Sequence, residues 1–64
     1  MNEQEVKNRL KKIKSIDGMT YKKMSQFFKT SERNLVRWIA EDLKMTDVNI
    51  HWLSKTLEDL QDEN

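Results

Sequence analysis

Residues 20–38 read TYKKMSQFFKTSERNLVRW, and the reading of this stretch decides the fold. Thr20 suits a helix N-cap, because its hydroxyl oxygen accepts from an amide that the first turn leaves unsatisfied. The spacing predicts a helix from there to about Phe28, with Met24, Phe27 and Phe28 as its apolar face. Lys29-Thr30-Ser31 interrupts the pattern. Ser31 is a second N-cap, for a helix from about Glu32 to Glu41. Leu35, Trp38 and Ile39 recur in it at helical spacing, so Leu35 and Trp38 point inward. Ser31, Glu32, Arg33, Val36 and Arg37 are left on the outer face, and the two arginines share it because they are four residues apart. Two short helices around a turn of a few residues form the helix-turn-helix pattern. Met24-Ser25 supplies the apolar residue followed by a small one that a close helix crossing needs.

The flanks carry the same periodicity. Upstream, Val6, Leu10, Ile13 and Ile16 predict one apolar stripe on a helix from about Glu5 to Ile16, with Arg9 and the lysines mostly off it. Asp17-Gly18 ends that helix, since glycine accepts the left-handed conformation common at helix C-termini. Downstream, Leu43 and Met45 lie in a connection, and Thr46 or Asp47 caps a last helix to about Leu60. Its seam is Ile50, Leu53, Leu57 and Leu60. Gln61 to Asn64 is acidic and expected to fray. The expectation is an all-α bundle of four helices, or five, forming a single domain over 1–64, with the motif at about 20–40 and the packing helix at about 47–60.

Composition narrows the function classes. A chain of 64 residues makes one domain, too small for a deep catalytic pocket with its own supporting shell, so an enzyme is not expected. There are no cysteines, which points to a reducing compartment and a cytoplasmic location. No apolar run approaches the length of a membrane span, and the polar start, Met1 to Val6, lacks a signal-peptide core. With no proline and one glycine, strands joined by tight turns are disfavoured. The net charge of +1 hides an asymmetry: Lys7 to Arg37 holds ten basic residues and two acids, whereas Trp38 to the end holds two lysines and seven acids. A basic stretch beside an acidic tail is common in nucleic-acid binders, although lysines also simply solvate helix surfaces.

With both flanks in place, the chain resembles the compact phage-repressor (lambda repressor-like, Xre-like) type of helix-turn-helix domain, found in small bacteriophage repressors and related bacterial regulators. The resemblance spans nearly the whole chain. RLKKIKSIDGMTYKKMSQFFKTSERNLVRWI, residues 9–39, has the spacing of the first three helices, and NIHWLSKTLEDL, residues 49–60, looks like the packing helix that follows. Two positions depart from the family pattern: Lys29 stands where the turn usually has glycine, and Thr30 replaces a usual aliphatic. The resemblance implies that the helix 32–41 enters the major groove of DNA and that many members bind as dimers.

On that footing, Arg33 and Arg37 are the first candidates for base contacts, since arginine pairs bidentately with guanine O6 and N7. The competing role for Arg37 is a surface salt bridge to Glu41. Val36 either meets a thymine methyl or is a plain exposed valine. Glu32 suits the positive end of the helix dipole and alternatively accepts from cytosine N4. Thr20, Tyr21, Lys22 and Lys23 surround a helix N-terminus, where phosphate is attracted; Lys29 and Ser31 extend that set, while Lys11 and Lys12 read as solvated. The seam of Ile50, Leu53, Leu57 and Leu60 either completes the monomer core or leaves an edge for a second subunit. His51 is the single histidine, so a zinc site is not expected, and neither a phosphate loop nor a nucleophile–base pair is visible. No cofactor is expected. Trp38 and Trp52 read as packing residues. The function expected is sequence-specific double-stranded DNA binding by a transcriptional regulator, a repressor that occupies its site, with a protein-binding module as the alternative.

Overall fold

The computed structural model describes residues 1–62, and the side chains of residues 1–60, as four helices: α1 (Glu3–Ile16), α2 (Tyr21–Phe28), α3 (Glu32–Ile39) and α4 (Asp47–Asp62). No strand occurs among the described residues. Much of the tail expected to fray, Gln61 to Asn64, lies outside them. No helix is long and apolar enough to cross a membrane, again among the described residues.

Each helix starts where the sequence offers an oxygen to its first amides. Asn2 begins α1 with a reciprocal capping box: its side chain accepts from the Glu5 amide at 2.8 Å, and Glu5 accepts from the Asn2 amide at 3.2 Å. This cap sets the start at Glu3, two residues before the expected one. Thr20 accepts from the Lys23 amide at 3.1 Å, and Ser31 from the Asn34 amide at 3.1 Å, as the sequence predicts. Of the two candidates before α4, Thr46 serves: its hydroxyl accepts from the Asn49 amide at 3.3 Å.

All four helices contribute to one core: Val6 and Leu10 from α1, Met24 and Phe28 from α2, Leu35 and Trp38 from α3, Leu53 and Leu57 from α4, with Met45 from the connection before α4. α2 packs on α3, and α1 packs on both α3 and α4. Leu53 and Leu57 are each 1% exposed, so these two seam residues are spent inside the monomer and cannot line an edge for a second subunit. Ile50 and Leu60 are half-buried against the same core.

Three side chains depart from the expected stripes. Ile16 is 75% exposed. Steps of four, three and three fall short of the 3.6-residue turn, so the stripe has rotated off the core by the time it reaches Ile16. Phe27 is 47% exposed, because Met24 and Phe28, four apart, take the buried face; its ring meets Phe28 edge-on at 5.0 Å. Lys7, off the expected apolar stripe, is nevertheless buried. Its ammonium lies 3.1 Å from Glu3 and 3.0 Å from Asp42, and Glu3 also accepts from the Met45 amide at 3.1 Å. These contacts clasp the start of α1 to the 40–46 connection. The backbone hydrogen bond from Met45, with Lys7 second, lowers the Glu3 carboxyl below its ordinary value. The hydrogen bond from Lys7 lowers Asp42 likewise. Burial pulls the Lys7 ammonium down, but the hydrogen bonds to Asp42 and Glu3 outweigh it and raise it above the ordinary lysine value.

Candidate nucleic-acid interface

Three residues, 29–31, separate α2 from α3. The chain reverses there because Lys29 adopts φ 55° and ψ 44°, a left-handed conformation that few residues other than glycine take readily. The Thr30 amide then donates to the Ser25 carbonyl at 3.0 Å, closing the helix end in the manner of a Schellman motif. Thr30 is half-buried, consistent with a β-branched side chain in a place that suits an aliphatic one. Ser31 restarts the helix immediately.

α3 is fixed from below by Leu35 and Trp38, which are 0% and 5% exposed. Its outer face carries Ser31, Glu32 and Arg33, all exposed, and Val36 and Arg37, both half-buried. The helix stops at Ile39, earlier than expected. The Glu41 amide bonds the Val36 carbonyl at 3.1 Å, the Leu43 amide bonds the Arg37 carbonyl at 2.9 Å, and Asp42 takes a positive φ of 55°. Glu41 therefore lies beyond the helix, off the regular position four residues after Arg37. No Arg37–Glu41 ion pair forms. Among the described residues, ion pairs within 4.0 Å involve only Lys7 and the amino group of Met1. Arg33, Arg37, Lys22, Lys23 and Lys29 thus make no ion pair with an acidic side chain among the described residues.

At the start of α2, Thr20, Lys22 and Lys23 are exposed and Tyr21 is half-buried. The cap bonds leave the hydroxyl hydrogens of Thr20 and Ser31 free to donate, while their oxygens accept from backbone amides. Tyr21 is not a bare phenol at the surface: the Lys14 ammonium stands 4.7 Å from its ring centroid. Sequence reasoning passed over Lys14, because the contact joins two helices across a turn and no local spacing signals it. Asn34 was likewise passed over; its side-chain amide donates to the Thr30 hydroxyl at 3.4 Å, turning it back toward the turn.

His51 is exposed, and no cluster of three or more metal-ligating side chains occurs among the described residues. Two shallow hollows flank Met1. One is lined by α4 residues including His51 and Lys55, and the other by Glu5, Asn8, Arg9 and Lys12. Both are open to solvent. Comparison with protein-family models, with curated proteins and with solved structures found no match to this chain.

Proposed function

We propose that the chain is a sequence-specific double-stranded DNA-binding regulator that uses α2 and α3 as a helix-turn-helix and inserts α3 into the major groove. One observation carries this reading: α3 is anchored through Leu35 and Trp38, while Arg33 and Arg37 on its outer face have no acidic partner among the described residues. A helix about 10–12 Å across fits a groove about 12 Å wide. In that pose Arg33, Arg37, Val36 and Glu32 face base edges. Thr20, Lys22, Lys23, Lys29 and Ser31 face phosphates, with Tyr21 beside them carrying Lys14. Repression by site occupancy, as for phage or mobile-element genes, is the simplest mode for a module this small. It rests on the resemblance to phage-repressor domains rather than on any contact. The cysteine-free composition suits a reducing cytoplasm.

The direct structural test is a two-dimensional amide NMR titration with duplex DNA. Shift changes concentrated at residues 20–23 and 29–37 support the reading. Changes centred on α4, or none at low salt, contradict it.

A second reading has an observation of its own. Val48 and Trp52, four apart on α4, are 78% and 47% exposed, and the Trp52 indole donates to the Phe28 carbonyl at 3.1 Å, beside exposed Phe27. Such a surface suits a protein partner or a second copy of the chain. A homodimer, if formed, uses this side rather than Leu53 and Leu57. Sedimentation with and without a palindromic duplex tests it, and a monomer in both removes the dimer.

A further inference from the structure

The outer face of α3 has a chemistry that selects its target. Asn34, whose side chain could both donate to and accept from an adenine edge, is turned back onto Thr30. Glu41 has left the helix and does not tether Arg37. Val36, one residue before Arg37 and half-buried, offers only methyl groups. Apart from Ser31 and Glu32 at the start of the helix, the surface is therefore donor-only and apolar. A donor-only fork matches adjacent acceptors on one base edge, and in the major groove guanine alone presents two, O6 and N7.

Resting on the DNA-binding reading above, we propose that the recognised half-site contains two guanines on neighbouring or next-neighbouring base pairs, one read by Arg33 and one by Arg37. Four residues advance a helix by about 6 Å. Successive base pairs are about 3.4 Å apart along a strand. The two side chains therefore reach steps one or two pairs apart. Val36 flanks the two arginines and favours a thymine methyl on an adjoining pair. Glu32 precedes Arg33 and is the one carboxylate on this face available to a cytosine amino group.

Selection from duplexes with a randomised centre, followed by anisotropy titration of the enriched sequence, tests the assignment. The enriched motif should hold two guanines within three base pairs. Replacing either by 7-deazaguanine, which keeps pairing but removes N7, should weaken binding several-fold; inosine, which keeps O6 and N7, should be tolerated. Arg33→Ala and Arg37→Ala should each weaken binding roughly 5- to 150-fold and each abolish the 7-deaza effect at one guanine only. Both side chains lie on the outer face, and circular dichroism of the variants checks that the fold is retained. Salt-sensitive duplex binding with no guanine enrichment, or guanines indifferent to 7-deaza substitution, overturns this inference while leaving DNA binding intact. Absence of duplex binding by the unmodified protein at low salt overturns both.

Discussion

Lys29 shows how a single residue governs the turn. Its left-handed backbone costs roughly 1 kcal/mol or more for a residue with a Cβ, and glycine would avoid that cost while losing some entropy on folding. Lys29→Gly is expected to stabilise the domain by about 0.5–1 kcal/mol, read as a higher urea midpoint at unchanged slope. Because Lys29 is also a proposed phosphate contact, the same variant should bind DNA more weakly and lower the salt slope by about one. Stabilisation without weaker binding would remove Lys29 from the phosphate set. The position was legible in the sequence as a turn, because Ser31 announces the next helix and the apolar spacing lapses before it. The roles of Lys7, Lys14 and Asn34 were not legible. Lys14 meets Tyr21 across a turn and Lys7 meets Asp42 35 residues away, pairings that no periodicity encodes, whereas Asn34 bonds Thr30 only four residues back, where Thr30 stands outside the helix.

At the scale of the helices, Thr20 and Ser31 mark two starts in the sequence, whereas apolar periodicity alone places the start of α1 at Glu5 and misses the Asn2 capping box that begins it at Glu3. Thr20 and Ser31 fix α2 and α3 by hydrogen bonds visible in the residue types themselves. α3 ends at Ile39 rather than near Glu41, and Asp42, a non-glycine residue that no glycine signal announces, takes a positive φ three residues beyond. The Lys7 clasp holds that connection, and it has a definite pH signature. Glu3 and Asp42 are lowered, so their contribution is present above the ordinary carboxylate range and fades as pH falls through their lowered values. Lys7 is raised, so its contribution is complete below the ordinary lysine value and fades only as pH rises through the raised one. Stability from the clasp should therefore be level through neutral pH and decline below about pH 4. Lys7→Met should lower the melting temperature at neutral pH and flatten the acid decline, measured by thermal melts across pH. An acid decline as steep as that of the unmodified protein would show that the clasp is not its source.

Considered whole, the molecule divides its surfaces. One core draws on all four helices, so the α4 seam is a stability element. Leu57→Ala should cost about 2–5 kcal/mol. In a domain this small that lowers the melting temperature by roughly 10 °C or more, whereas Val48→Ala should change stability by no more than about 0.5 kcal/mol. Equal effects from the two would contradict the burial pattern. The sequence reading found the core because helical spacing marks buried positions. It could not apportion the seam between core and interface, since both uses demand the same apolar spacing. The remaining division is electrostatic: basic side chains on α2, the turn and α3 that make no ion pair among the described residues, with acids gathered toward α4. That division is the basis of the proposed function, and it makes a quantitative claim. The decisive measurement is fluorescence anisotropy of the pure protein with a random duplex pool across a salt series. If about six phosphates are neutralised, the logarithm of affinity should fall against the logarithm of salt with a slope of about −5. A slope near zero, or no binding at low salt, would contradict DNA recognition by α3.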